Sequence, residues 1–124
     1  MHFSISHASG IVAVAVSESS PVGIDTEQVR PLRKGFATRY FNESEQAQIR
    51  TAADRDGTLI RLWTAKEAVG KYHGTGLDGD PTAIDTQNAT SLFFEKNGAR
   101  FALSVSPKCE LPPFEWVDFK DLVP

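Results

Sequence analysis

The stretch Leu59-Ile-Arg-Leu-Trp-Thr-Ala-Lys-Glu-Ala-Val-Gly-Lys71 contains no proline, and Leu59, Leu62, Trp63 and Val69 recur at helical spacing. It predicts a helix with one apolar stripe. Lys66 falls inside that stripe, three residues on from Trp63, where a core residue is expected. Glu67 and Lys71 stand four apart and share one flank. Taken alone, those two read as a surface ion pair worth ~0.3 kcal/mol. The segments upstream give them another reading.

Working back from the helix, Asn42 has the chemistry of a helix N-cap, with Glu43 and Glu45 in the first turn. Before it, Pro31 can open another helix, striped by Leu32, Phe36 and Tyr40, with Arg39 on the same side. From Arg30 to Arg39 there are four positive residues (Arg30, Arg33, Lys34 and Arg39) and no negative one, in a chain whose net charge is −3. Arg33 and Lys34 point away from the stripe. Further back, Val22-Gly-Ile24 starts a short strand that ends in Asp25-Thr-Glu27. Residues 25 and 27 share a strand face, and two carboxylates side by side repel unless a cation lies between them. Phe3-Ser-Ile-Ser6 alternates and Ile11 to Val16 is rich in β-branched residues. His7-Ala-Ser-Gly10 turns between them, which predicts a hairpin.

Working forward, Gly74 suits a helix C-cap, and Ala83 to Thr86 reads as a short strand. Ser91 to Glu95 and Ala99 to Val105 are strands joined at Asn97-Gly98, a hairpin signal, and Phe114 to Phe119 reads as a last strand. The fold class is α+β: a largely antiparallel sheet packed against about three central helices. At 124 residues the chain reads as one domain, 1–124, with 40% hydrophobic and 23% charged residues. Cys109 is alone, which excludes an intrachain disulfide and a Cys-based zinc site. The slight negative charge gives no general pull toward nucleic acid, and no apolar run is long enough to span a bilayer. A cytoplasmic location is expected.

Three pieces stand in order: Ser6-His7, then Gly23-Ile-Asp-Thr-Glu27, then Trp63-Thr-Ala-Lys-Glu-Ala-Val-Gly-Lys71. Between them lies Arg39-Tyr-Phe-Asn-Glu-Ser-Glu45, and after them Gly74-Thr-Gly76-Leu77. This ordered set resembles the 4′-phosphopantetheinyl transferases of the surfactin-synthetase-activating type. The resemblance runs from Phe3 to about Leu77. It implies transfer of the phosphopantetheine arm of coenzyme A to a serine of an acyl or peptidyl carrier protein, with Mg²⁺, releasing 3′,5′-ADP.

The resemblance implies site roles as well. Asp25, Glu27 and Glu67 would hold the metal ion. Glu67, or a water near it, would take the serine proton. Asp25, Glu67 and Lys71 would be the catalytic set, with Lys71 and Lys66 near the phosphates. Ser6 and His7 would hold the 3′-phosphate end of coenzyme A. Arg33 and Lys34 would meet the acidic helix of the carrier.

Members of the two-half type carry a similar half ahead of the Ser-His segment, whereas this chain begins almost at it. Its length is that of the short, trimeric holo-acyl-carrier-protein synthases, whose motif order differs. A single half leaves the coenzyme A cleft open, so a dimer or trimer with the site at a subunit interface is expected. Two other readings of the same residues are a Mg²⁺-dependent phosphohydrolase and a non-catalytic module that binds coenzyme A or carrier proteins.

Overall fold

The computed structural model describes residues 1–113, 115–118 and 120. Strands β1 (His2–Ala8) and β2 (Ile11–Ser17) form an antiparallel hairpin. Its two-residue turn puts both Ser9 and Gly10 at positive φ, as a primed turn requires. β3 (Gly23–Gln28) follows, then α1 (Phe36–Tyr40), α2 (Glu43–Thr51) and α3 (Arg55–His73). β4 (Thr90–Lys96) and β5 (Ala99–Ser106) close the order, turning at Asn97-Gly98. The second sheet runs β3-β5-β4, antiparallel throughout. The expected α+β class holds, with two small sheets in place of one. Among the described residues no helix is long and apolar enough to cross a membrane.

The two sheets meet without a backbone ladder between β1 and β3. Serine hydroxyls take its place: Ile24 N–H donates to Ser4 Oγ (3.0 Å) and Thr26 N–H to Ser6 Oγ (3.1 Å). Beneath this seam Ile24, Leu103 and Val105 form one core, with Ala13 and Ala15 of β2 against it. A second core, Phe41, Ile49 and Leu62, joins α1 and α2 to α3, and Trp63 meets Phe36 and Tyr40 edge-on at its margin.

Helix α3 runs between these layers and is buried on most of its surface: Ile60, Leu62, Thr64, Ala65, Lys66, Ala68, Val69 and Gly70 are all inside. The single apolar stripe expected from the sequence is therefore too narrow a description. α3 packs on β3 and β5 on one side and on α2 on another. Close approach is purchased by glycine: a Cβ on Gly23 would lie 2.1 Å from Ala68 O, and one on Gly70 2.3 Å from Gly76 O.

Three expectations change. Pro31 opens no helix; α1 begins at Phe36, after Gly35 at φ 90°, so Leu32 lies outside it. Ala83 to Thr86 is not a strand, because Asp80 and Asp85 cap two short 3₁₀ turns, Pro81–Ala83 and Thr86–Asn88. Residues 115–118 form no strand, while Phe114 and Phe119 lie outside the described residues. Asp54-Arg-Asp-Gly57, which reads in the sequence as a loop or a polar helix start, is the start of α3, with Asp54 accepting from Gly57 N–H as its cap. The Asn42 N-cap and the Gly74 C-cap form as expected, and the Asn42 cap is completed by Glu45 into a capping box.

Candidate active site

Gly23, Asp25 and Glu27 alternate on the face of β3 that meets α3. With Gly23 lacking a side chain, the strand lies close enough for α3 to bring Glu67 and Lys71 to the same place. Lys71 does not pair with Glu67, the surface pair that helical spacing alone suggests. Its Nζ lies 3.5 Å from Asp25 Oδ1 and donates to Ile5 O (3.0 Å) and Ile24 O (2.9 Å). Two ammonium hydrogens are thereby committed to backbone carbonyls of β1 and β3, with the charge beside Asp25. Ser6 Oγ donates to the same Asp25 Oδ1 at 3.0 Å.

Asp25 is the focus. It is buried, and its Oδ2 is without a hydrogen-bond partner, the one such buried side-chain atom among the described residues. Burial pushes its carboxyl up to about 7; Lys71 and then Ser6 pull it down, and Glu67 and Glu27 push it up. Burial likewise raises half-buried Glu67, against Lys71 and with Glu27. The three carboxylates therefore feel one another. They are not gathered into a ready-made cage: among the described residues no three His, Cys, Asp or Glu side chains stand close enough to hold a metal ion. Glu27 is instead paired with Arg30 at 3.1 Å.

The donor set nevertheless fits a hard divalent cation. It consists of carboxylate oxygens alone, one of them buried and bare, beside repelling neighbours whose charge a cation would neutralise. The ion would be held by Asp25 and Glu67, with Glu27 after release from Arg30.

Other expected site residues lie elsewhere or face differently. Lys66 is a correction. It is fully buried, 2.9 Å from Glu45 Oε1, and donates to Pro81 O (3.0 Å) and Ile84 O (3.2 Å), so it is not at the phosphates. An ammonium at zero exposure needs such a complete set of acceptors. Ser6 is buried against Asp25, whereas His7, next to it, is exposed. Arg33 and Lys34 are exposed, in the segment leading to α1. Arg39 is also exposed, with its guanidinium 5.3 Å over the Tyr40 ring. A cavity of about 580 Å³ lies at the far side of α3, lined by Val69, Gly70, His73 and the turns that follow, and none of the candidate residues lines it.

Sequence reasoning passed over Ser4 and Glu45. The spacing Ser4-x-Ser6 on an alternating strand was a signal that both hydroxyls share a face. No such signal marked Glu45 as the partner of Lys66.

Strand-borne Asp25 and Glu27, with helix-borne Glu67 and Lys71, make up a site of three carboxylates and one ammonium on an α+β scaffold. Residues 21–110 match the 4′-phosphopantetheinyl transferase superfamily, and the chain belongs to it. Among curated relatives, 4′-phosphopantetheinyl transferase Sfp of Bacillus subtilis (strain 168) is 37% identical over 79 residues, covering 61% of this chain and 34% of that protein. 4′-phosphopantetheinyl transferase HetI of Nostoc sp. is 34% identical over 79 residues, covering 60% and 33%. The chain thus spans about a third of the length of these relatives. The crystal structure of Thermotoga maritima holo-[acyl-carrier-protein] synthase superposes with a TM-score of 0.52 at 27% identity, covering 72% of this chain and 64% of that one.

Proposed function

We propose that this chain transfers the 4′-phosphopantetheine arm of coenzyme A to a serine of an apo acyl or peptidyl carrier protein, dependent on Mg²⁺. The observation that carries the reading is the buried, unpartnered Asp25 Oδ2, on a carboxyl that feels the charge of Glu67, inside a superfamily match. The serine oxygen attacks the β-phosphorus of the pyrophosphate, and the bond to 3′,5′-ADP breaks. A bound Mg²⁺ would supply charge neutralisation at the pyrophosphate. Glu67 takes the serine proton; its raised pKa makes it a stronger base than an exposed glutamate. Lys71 holds its positive charge beside the site while its hydrogens fix Asp25 and the two strands. His7, exposed at the end of β1, is free to meet the 3′-phosphate. The test is the mass of an apo carrier protein incubated with the chain, coenzyme A and Mg²⁺. A gain of one phosphopantetheine group supports the reading; an unchanged carrier, with inorganic phosphate or AMP released from small esters, replaces it with a phosphohydrolase.

Self-association belongs to the same proposal. Phe3, Ile5, Val12, Val14 and Val16 share the outer face of the β1–β2 hairpin and are 50–66% exposed. The face carries no charge apart from His7 at one end. A patch of this kind is on the order of 500 Å², near the top of the range for a monomer. Two copies face to face bring the buried total close to the ~1,000 Å² that a specific interface needs. His7 lies at the end of this same face, so a second copy here would come next to the residue that is free to meet the 3′-phosphate. Light scattering at micromolar concentration should show a dimer or trimer, and Val14→Glu should return it to monomer. A fully active wild-type monomer would refute this part. The single domain 1–124 and a cytoplasmic location complete the proposal.

A further inference from the structure

The Ser6 hydroxyl has one hydrogen, and its position is determined. Ser6 Oγ accepts from Thr26 N–H at 3.1 Å, so its own hydrogen goes to Asp25 Oδ1 at 3.0 Å. The side chain is buried, with 6% of the residue exposed. Lys71 Nζ approaches the same oxygen, and Oδ2 receives no donor at all. One oxygen held from two sides and the other bare fixes the plane of the carboxylate. We infer that Ser6 is a positioning residue that turns Asp25 so that Oδ2 is presented to a divalent cation, and that it is not a contact for a phosphate of coenzyme A. The inference rests on the proposed function only for the cation that Asp25 receives.

Ser4 supplies the internal comparison. Two residues earlier on the same face, its hydroxyl accepts from Ile24 N–H at 3.0 Å, the same seam-bridging contact, and it touches no carboxylate. Bridging β1 to β3 therefore accounts for a hydroxyl at both positions, while donation to a carboxylate occurs at Ser6 alone. The adjacent His7 is exposed. The Ser-His pair thus divides its work, one side chain inward to the carboxylate and the other outward to solvent.

The probe is Mn²⁺, its binding to the full chain read by electron paramagnetic resonance without coenzyme A or carrier. Losing a hydrogen bond to a metal-holding carboxylate costs about 10–100-fold in metal affinity. Ser6→Ala is expected to weaken Mn²⁺ at the low end of that range, Ser4→Ala to leave it within about twofold, and Ser6→Thr to restore it. In transfer assays Ser6→Ala should lower kcat/KM equally for coenzyme A and for its 3′-dephospho analogue. Unchanged Mn²⁺ affinity in folded Ser6→Ala, an equal loss in Ser4→Ala, or no Mn²⁺ binding by the wild-type chain overturns the inference. So does a defect seen with coenzyme A and absent with the dephospho analogue, which assigns Ser6 to the 3′-phosphate. If Ser6→Ala does not fold, Ser6→Cys keeps the shape with a weaker donor and is read in the same way. A chain that shows the expected Mn²⁺ pattern but modifies no carrier leaves this inference standing and overturns the proposed function.

Discussion

Helix α3 carries two lysines five residues apart, each near a carboxylate, and the two pairs are opposites. Lys66 and Glu45 are both buried, 2.9 Å apart. The Lys66 hydrogens reach Glu45, Pro81 O and Ile84 O, and Glu45 Oε1 also accepts from Asn42 N–H in the capping box of α2. Lys71 and Asp25 are more loosely paired at 3.5 Å, Lys71 is part-exposed, and Asp25 keeps one oxygen bare. A buried pair whose ammonium reaches three acceptors and whose carboxylate also caps a helix holds structure together. A pair that leaves an anionic oxygen unmet, next to two further carboxylates, has room for a ligand.

Breaking the first pair should give the largest effect. Glu45→Ala leaves Lys66 as an uncompensated buried charge and removes half of the capping box, at about 3–5 kcal/mol. Urea denaturation of the two proteins measures it. The double change Glu45→Gln, Lys66→Met removes the charge as well as the partner and should recover most of that loss. If the double variant is no better than Glu45→Ala, the pair is not the reason for the loss. In both variants the Asp25 site should keep its divalent-ion affinity, because neither residue faces it.

The second pair should break activity and leave the fold. Glu67→Gln keeps the shape but removes one negative charge and the base, so transfer should fall by about 10²–10⁴-fold. The urea midpoint should stay close to that of the wild type, as Glu67 makes no buried ion pair among the described residues. Unchanged transfer at limiting Mg²⁺ would remove Glu67 from the site. Equal loss of stability and activity would make it a second Glu45.

A third measurement separates the pairs by pH. The Asp25 carboxyl titrates near 7 when folded, against 3.8 for the ordinary group. Between those values the folded chain keeps a proton that the unfolded chain has lost. Its contribution to stability is therefore present in full below about pH 4 and falls as pH rises toward 7. Asp25→Asn abolishes that fall. In EDTA the variant should match the wild type near pH 4 and exceed it by ~4 kcal/mol at pH 8, since each pKa unit is worth about 1.4 kcal/mol. A variant equal to the wild type at both pH values means that Asp25 carries no strain.

These pairs also mark where the sequence was legible. Residues that act through one element could be read directly: Asn42 caps α2, Asn97-Gly98 turns β4 into β5, and Asp25 and Glu27 alternate on one strand face. Residues that act between elements could not. Lys66 on a helix with Leu62 and Val69 showed that something was unusual, but its partners sit 21, 15 and 18 positions away, at Glu45, Pro81 and Ile84. Helical spacing suggested Glu67 for Lys71, and the fold supplied Asp25 instead, because glycine at position 23 lets β3 come within reach. Pro31 failed as a helix start because Gly35 takes a left-handed conformation just before α1.

The smallest effect is expected at charges that have neither kind of partner. Arg33 and Lys34 are exposed, they precede α1, and no ion pair holds them among the described residues. Unlike Lys66 they cost the fold nothing to remove, and unlike Lys71 they touch no candidate site residue. Under the proposed function they are free to meet an approaching carrier protein. An acidic carrier helix meeting two exposed cations gains mainly in association rate, and salt screens that gain over ~8 Å at physiological ionic strength. The double change Arg33→Glu, Lys34→Glu should therefore raise the carrier KM by ~3–10-fold while the coenzyme A KM and the urea midpoint stay put. The wild-type carrier KM should climb with salt, and that of the double variant should not. If both KM values rise together, the two residues act on the site itself. If neither rises, the carrier docks on another face.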